Sequence, residues 1–309
     1  MAQNAATTTS QFAGFLKPEL AQPYFEEARR SSVFQSLARQ VPLGASGVEI
    51  PVTTSKAKAS WVNEAGKKPT SESGIGLKTM TSKKIAAITV VSAEVVRANQ
   101  SGYIETYKAD VAESIGQAFD AAAFHGTDTP FDSYIAETTK EVALGTNDKA
   151  DGGVYADLVD GVKAVVSTKD GDRRRKLNAF AFDTLAEPVF LGSTDSAGRP
   201  LFVNPVYESS VLTSGNVIGR RAGMADGIAD DAETIYGFGG DFSRALWGVV
   251  GGITYDVSTQ ASVTLNGELV SLWENNLVAI RTEAEFGLLI NDPEDFVKFL
   301  APVDGGSGE

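Results

Sequence analysis

The sequence has 309 residues, a net charge of −13, no cysteine and a single histidine, His125. The lack of cysteine excludes disulfides, thiolate nucleophiles and cysteine-ligated zinc, and one histidine leaves little for multi-histidine metal sites. A chain this acidic is not suited to gripping DNA phosphates. No apolar run approaches the roughly 20 residues that span a bilayer, and the polar first residues lack a signal peptide's features. The composition favours a structural protein, and we expect no cofactor, no metal and no membrane partner.

Residues 1–44 are predicted to form an N-terminal arm. Its start is polar, and two short apolar segments follow at 18–30 and 31–39. Each is too short to be a stable helix in isolation, since isolated helices under roughly 12–15 residues are marginal in water. We therefore expect these segments to need a surface to pack on.

Residues 45–92 are predicted to form an extended loop. Residues 48–52 alternate like a strand, with Pro51 marking an edge, and residues 85–96 are rich in Ile and Val. The polar connection between them is too long for an ordinary turn. These two strands are predicted to form a long hairpin projecting from the body. Because an isolated hairpin is marginally stable, we expect a neighbouring molecule to order it.

The charge is unevenly spread along the chain. Residues 54–84 carry seven lysines against two glutamates, whereas residues 85–309 carry 16 basic against 34 acidic residues. A basic segment on an acidic body complements a second copy of that body, and such complementarity orients and speeds association. The alternative is a solvated lysine-rich loop. The predicted interface residues are Lys56, Lys58, Trp61, Lys67, Lys68, Lys78, Lys83 and Lys84.

The body is predicted to be α+β. Apolar residues at helical spacing predict a long helix from Ser101 to a stop at Gly126, with His125 as a structural cap near its end. A second helix is expected over 155–166. Further expected elements are strands within 178–257 and at 262–265 and 277–281, a closing helix over 292–300 and a disordered tail at 305–308.

Motifs that carry chemistry are missing from the sequence. There is no phosphate loop, no dinucleotide fingerprint and no nucleophile elbow, and the many carboxylates show no diagnostic spacing. The basic cluster at 169–176 could touch phosphate, but an exposed loop or an inter-subunit patch is favoured. Trp61, Trp247 and Trp273 are interpreted as core or interface anchors rather than a stacking platform. No catalytic residue is predicted.

The order of elements resembles the Hong Kong 97-type major capsid family of tailed bacteriophages. An arm is followed by an extended loop, a long helix, a compact α+β lobe, a late strand and a terminal helix. Several stretches are similar to that family's recurring segments, and the resemblance covers roughly residues 15–302. The stretches are 61–72, 104–126, 198–202, 216–219, 239–242 with Trp247, 276–283 and 292–296.

The resemblance implies the Hong Kong 97-type fold and a capsid role. Copies would assemble into pentamers and hexamers of a virion shell that encloses double-stranded DNA without sequence-specific binding, made in the bacterial cytoplasm. With only about 44 residues before the first strand, the scaffolding protein is expected to be separate, alongside a portal. The implied segments are an arm (1–44), the extended loop (45–92), a peripheral domain with the spine helix (93–170), an axial domain (171–258), and a peripheral strand, closing helix and tail (259–309).

Some relatives form Lys–Asn cross-links between subunits, aided by a glutamate. By position, the resemblance assigns these roles to Lys68, Asn276 and Glu283. A desolvated lysine would attack the amide while the carboxylate moves protons. Asn276 and Glu283 are seven residues apart and so face opposite sides of a regular strand, which requires groups from different subunits. These residues also recur in the family as plain structural features.

Three other functions remain open from the sequence. An encapsulin-type nanocompartment shell shares the fold but encloses cargo enzymes, and relatives of that kind have a shorter N-terminal segment. A carboxylate-based enzyme would need a deep acidic pocket in a small oligomer. An adhesion or decoration protein would lack both the long helix and the self-complementary charge split.

Overall fold

The computed structural model describes residues 32–55, 57–64, 66–68, 70–71, 74–98, 100–171, 173–194, 213–230 and 232–302. The segment expected to be helical at 18–30, the stretch at 198–202 and the tail at 305–308 lie outside this part. Its α-helices are α1 (Val33–Leu37), α2 (Ala93–Ala98), α3 (Gln100–Phe124), α4 (Gly153–Ser167) and α5 (Glu187–Leu191).

Sixteen strands occur in the described residues, in five sheets. In chain order they are β1 (Arg39–Gln40), β2 (Val48–Ser55), β3 (Gly74–Met80), β4 (Lys83–Ser92), β5 (Glu141–Ala143), β6 (Lys169–Asp170), β7 (Arg173–Arg174), β8 (Ala179–Phe182), β9 (Thr213–Val217), β10 (Arg220–Met224), β11 (Ile235–Gly240), β12 (Ala245–Ser258), β13 (Ser262–Leu265), β14 (Glu268–Ser271), β15 (Leu277–Ile290) and β16 (Phe296–Leu300). The resulting mixture of helices and sheets confirms the predicted α+β class.

A four-stranded sheet in the order β1-β12-β15-β4 packs on the long helix α3. Alternate residues of β15, including Ile280 and Phe286, are buried against that helix, as period-two alternation requires. The rings of Phe119 on α3 and Phe286 lie 5.1 Å apart. The apolar residues at helical spacing in the sequence therefore lie on the buried face of α3. The predicted long helix is confirmed.

A six-stranded sheet in the order β5-β16-β11-β8-β10-β9 forms a second core with α4 and α5. Phe180, Phe182 and Phe299 fill that core. Gly161 lets α4 approach closely, because a Cβ there would lie 2.4 Å from the Phe299 ring. The chain passes between the two sheets three times: from β4 to β5 through α2 and α3, directly from β11 to β12, and from β15 to β16.

Two expected strand assignments are wrong. The extended hairpin pairs β2 with β3, whereas β4, the expected partner, lies in the four-stranded sheet beside β15. Residues 93–96, expected to continue that strand, belong to α2. Strand β4 buries Val90 and Val91 in the body, and this burial is unavailable on a projecting arm.

The expected closing helix over 292–300 is also wrong. Asp292 caps a single 3-10 turn at Pro293–Asp295 by accepting from the Glu294 N–H, and the chain then continues as β16. Phe296, Val297 and Phe299 are fully buried there, with β16 lying between β11 and β5. The capping signal was correct, but tertiary pairing overrode helix continuation.

The two sheets also divide the chain differently from the expected segments. Helix α4, expected in the segment 93–170, packs on the six-stranded sheet, as does β16 from the last segment. Strand β12, expected in the segment 171–258, belongs to the four-stranded sheet. The passages from β4 to β5, from β11 to β12 and from β15 to β16 cause this difference, since each moves the chain from one sheet to the other. The axial or peripheral location of each lobe stays a prediction.

Candidate subunit interface

The β2–β3 hairpin presents an apolar row that nothing in the described part of the chain covers. Its register places Pro51 opposite Leu77 and Thr53 opposite Ile75. All four residues lie on the exposed face, where Ile75 is 74% and Leu77 66% exposed. Exposed apolar residues clustered in this way mark an interaction surface more often than isolated ones do.

The base of the hairpin is seated firmly in the body. Met80 is fully buried over a cross-strand pair of glycines, Gly248 on β12 and Gly287 on β15. A Cβ on Gly287 would lie 2.9 Å from Met80 Cγ and 2.8 Å from Leu43 Cδ2. The paired glycines thus form a notch that holds Leu43 and Met80 and fixes the direction of the hairpin.

The loop beyond β2 carries most of the predicted interface residues. Trp61 on this loop is fully exposed, and Lys58, Lys67 and Lys68 on the same loop are exposed. The backbone N–H of Lys58 donates to Ser71 Oγ at 2.5 Å, which closes the loop on itself. Lys56 lies outside the described residues.

The other three predicted lysines are not on the loop. Lys78 reaches inward from β3, and its Nζ donates to the Asn291 carbonyl. Lys84 on β4 pairs with Glu283 at 3.6 Å and with Glu285 at 3.7 Å, within its own subunit. Lys83 is also on β4, opposite Phe286 of β15. The described lysines of the loop are therefore exposed, whereas Lys78, Lys83 and Lys84 lie on strands β3 and β4.

The three residues with implied cross-linking roles are also apart. Asn276 precedes β15 with a φ of 54°, and its amide donates to Glu94 and accepts from Arg97 at 3.3 Å. Glu283 instead pairs with Lys84 and, at 3.8 Å, with Arg281.

The carboxylate beside Asn276 within this subunit is therefore Glu94, which sequence reasoning missed. Backbone hydrogen bonding at Glu94 and, less strongly, the Asn276 amide lower the pKa of the Glu94 carboxyl. Glu94 opens α2 and lies 182 residues from Asn276 in the chain, so no local spacing could have revealed the contact.

The buried aspartates fix loops instead of forming an acidic pocket. Asp120 on α3 accepts from Ser32 Oγ at 2.5 Å and from the Val33 N–H at 2.9 Å, which ties α1 to the long helix. Asp157 and Asp183 hold other loops by accepting backbone N–H groups. In the described ranges, no group of three or more His, Cys, Asp or Glu could hold a metal ion.

His125 has a structural contact of the predicted kind. Its Nε2 lies 2.7 Å from the Ile228 carbonyl, and its ring packs edge-on against Phe238. The residue thus ties the end of α3 to the turn after β10. Of the basic cluster at 169–176, Arg175 is buried in ion pairs and Arg173, Arg174 and Lys176 are exposed.

The three tryptophans differ in their exposure to solvent. Trp247 packs against Phe119 in the core, with ring centroids 6.5 Å apart. Trp61 and Trp273 are exposed, the latter by 75%, and lie on the basic loop and beyond the β13–β14 hairpin. Among the described helices, none has the length and apolar character needed to cross a membrane.

Comparison with known proteins decides the family. Residues 13–300 match the Phage capsid family. The chain belongs to this family. This capsid protein is 40% identical to the probable major capsid protein gp17 of Mycobacterium phage L5. The alignment covers 97% of this chain and 93% of the relative. The capsid protein is also 26% identical to the major capsid protein of Staphylococcus phage 80alpha, over 94% and 86% of the two chains.

Solved structures confirm the fold. A chain from Mycobacterium phage Bobi has a TM-score of 0.72 at 20% identity, covering 97% of this chain and all of that one. The capsid of an empty GTA particle gives 0.66 at 16% identity, covering 98% and 100%. The capsid protein thus has the Hong Kong 97-type fold and is the major structural protein of a tailed-phage shell. The family consists of structural capsid proteins. Neither the hypothesis of a carboxylate-based enzyme nor that of a nanocompartment shell is favoured.

Proposed function

We propose that the capsid protein assembles into pentamers and hexamers by laying its β2–β3 hairpin on a neighbouring subunit. The observation that carries this proposal is the exposed row of Pro51, Ile75 and Leu77 on a hairpin whose base is locked in the body. A rigid base with an uncovered apolar face is suited to binding a preformed surface, since little conformational entropy is lost on docking.

Charge supports a second copy as the partner. The exposed loop presents Lys58, Lys67 and Lys68 against one described acidic residue, Glu64, while residues 85–309 are strongly acidic. Such complementarity directs the approach of the loop more than it adds affinity. Trp61 on the same loop supplies an exposed aromatic side chain of the type that contributes most to the binding free energy of interfaces.

The shell is proposed to enclose double-stranded DNA without reading its sequence. The net charge of −13 supports weak contact with phosphates. A separate scaffolding protein and a portal complete the proposed assembly.

Electron microscopy of the chain expressed with no other phage gene tests self-assembly. Closed shells, or free rings of five or six subunits, are expected; a monomer that never associates across salt and concentration would overturn the proposal. For the loop, Lys67→Glu should slow assembly most at low salt, whereas the control Lys163→Glu, 78% exposed on α4, should not. Equal effects of both variants would reject the basic loop as the steering element.

A covalent cross-link between Lys68 and Asn276 of different subunits is the second proposal. It is favoured by the position of Asn276, whose amide is oriented by Glu94 and Arg97 in advance. The lysine amine would replace the amide nitrogen, which leaves as ammonia. A ladder of multimers on a denaturing gel of particles, lost in Asn276→Asp and Lys68→Arg, is expected. A single monomer band from mature wild-type particles would refute the cross-link.

If the ladder forms, Glu94→Gln and Glu283→Gln identify the assisting carboxylate. Loss of the ladder only in Glu94→Gln would assign proton transfer to the residue beside Asn276. Loss only in Glu283→Gln would support the role that the family resemblance implies, with Glu283 supplied by another subunit.

A further inference from the structure

A buried ionic cluster lies where the chain crosses between the two sheets. Arg244 stands at the crossover from β11 to β12, and Asp292 and Asp295 stand at the crossover from β15 to β16. Arg175, from the segment before β8, enters between them. Two of the three passages of the chain between the sheets therefore run beside the same charged groups.

The contacts of the cluster converge on one oxygen. Asp295 Oδ1 accepts from Arg175 at 2.8 Å and from Arg244 at 3.1 Å. Arg175 also binds Asp292 at 2.6 Å, and Arg244 binds Asp170 of β6 at 2.6 Å. Asp295 is fully buried, and its Oδ2 has no hydrogen-bond partner in the described part of the chain.

The extended hairpin is connected to this cluster. Lys78 on β3 donates from Nζ to the carbonyl of Asn291, the residue that follows β15. The backbone N–H of Asn291 in turn donates to the carbonyl of Arg244 at 3.2 Å. A displacement of the hairpin that breaks the Lys78 contact thus acts on Asn291, whose backbone is hydrogen-bonded to Arg244, and the Arg244 side chain binds Asp295.

We propose that this cluster is a latch that couples the seating of the β2–β3 hairpin to the relative orientation of the two sheets. While Lys78 is seated, Asn291 and Arg244 are fixed and the two crossovers are held together. When the hairpin is pulled away, the crossovers lose one of their ties. This inference goes beyond shell assembly, since it concerns two states of one subunit.

The charge balance of the latch makes it sensitive to protons. Two guanidinium groups, of Arg175 and Arg244, face three carboxylates, of Asp170, Asp292 and Asp295. Burial raises the pKa of Asp295 to about 6, against the lowering effect of Arg244 and Arg175, and the charges of Asp292 and Asp241 raise it further. The Glu294 carboxylate next to it in the chain is paired with Lys140 at 2.6 Å.

The sign of the pH effect follows from linkage. In the closed latch Asp295 has a pKa of about 6, whereas in an opened, hydrated state its pKa returns toward the ordinary value of 3.8. Opening therefore releases a proton, and it becomes easier as the pH rises from about 4 to about 6. The open-to-closed ratio should increase by at most roughly a hundredfold over that range and then stay constant.

Hydrogen exchange of the full chain tests the coupling. Lys78→Met removes the donor and keeps the side-chain stem, and amides at 241–246 and 291–296 should then exchange at least roughly fivefold faster. Lys67→Met, which makes the same charge change on the free loop, should leave those amides unchanged. If Lys78→Met changes only amides of the hairpin, the proposed coupling is refuted.

A second variant separates the latch from a general loss of stability. Asp295→Asn keeps an oxygen that can accept from both arginines but cannot titrate between pH 4 and 7. It should remove the pH dependence of the protection factors at 241–246 and 291–296, which are exchange rates corrected for the intrinsic base-catalysed rate, while those in α4 stay as in the wild type. Protection factors that still fall as the pH rises from about 4 to about 6 in Asp295→Asn would place the titrating group elsewhere and reject the proton-linked part of the latch.

Discussion

Two of the hairpins in this capsid protein, β2–β3 and β13–β14, differ in how their apolar side chains are covered. The β13–β14 hairpin turns Val263, Leu265 and Val270 inward, toward a small core that includes Val90 and Leu272. The β2–β3 hairpin buries only its base and leaves Ile75 and Leu77 exposed. One face of the first is covered by its own subunit, although Leu269 on the other face is 76% exposed, and we infer that the second is covered by a neighbour. Similar local structure therefore serves a tertiary role in one case and a quaternary role in the other.

The largest expected effect is on assembly, from Leu77→Asp. A charge on the exposed face should prevent closed shells because it cannot be buried against a neighbour without a large desolvation cost. The subunit itself should keep its melting temperature within about 2 °C, since exposed substitutions change stability little. Electron microscopy and a circular dichroism melt measure the two properties. Normal shells from this variant would contradict the comparison of the two hairpins.

Leu272→Ala should have the opposite profile. Leu272 is fully buried beneath the β13–β14 hairpin, so its truncation should lower the free energy of unfolding by about 2–4 kcal/mol. Denaturant unfolding of the unassembled subunit measures this loss. Shell formation should persist at temperatures where the variant stays folded. A stability loss under about 0.5 kcal/mol would show that this hairpin, too, depends on a neighbour.

Gly287→Ala tests the seat of the β2–β3 hairpin. The added Cβ would crowd Leu43 and Met80, at a cost of about 1–3 kcal/mol for overpacking. The strain should be relieved by lifting the base of the hairpin, which limited proteolysis within residues 57–71 would detect. Gly267→Ala is the matched control, since a Cβ there meets no neighbour within 4 Å, although its φ of 84° adds local strain. Equal cleavage of the two variants would argue against the notch.

The smallest effect is expected where the β13–β14 segment joins β15. Asn276 adopts a φ of 54°, which glycine and asparagine tolerate better than alanine. Asn276→Ala and Asn276→Gly both remove the contacts with Glu94 and Arg97. The difference between their free energies of unfolding therefore isolates the cost of the positive-φ backbone at this position. Alanine should be the less stable of the two by about 1 kcal/mol, measured by denaturant unfolding. The opposite order would mean that the backbone relaxes at this position.

Sequence reasoning succeeded where a single element carries its own signal. The helices predicted from Ser101 to Gly126 and over 155–166 correspond to α3 and α4, and strands occur within 178–257 and at 262–265, where strands were expected. It failed on β3, although Ile75, Leu77 and Thr79 alternate with Gly74 and Gly76. That alternation was a usable signal, but two small residues made the segment resemble a polar loop.

The residues around the candidate interface were less accessible to sequence reasoning. Charge distribution identified the basic loop, yet it could not separate the exposed loop residue Lys67 from Lys84 on β4, which is paired with two glutamates. Glu94 beside Asn276 and the latch around Asp295 were missed altogether. Their members come from distant segments, and no periodicity links such positions.

By itself, the sequence determined the α+β class, the long helix, the presence of an extended basic hairpin and the resemblance to a capsid family. These properties depend on local periodicity, composition and the order of segments, and all of them can be read along one chain. The tertiary structure alone decided which strand completes the hairpin, that residues 296–300 form a strand, and which charges meet at the crossovers. Those outcomes depend on burial and pairing between segments far apart in sequence, where the free energy of a shared core outweighs local preference.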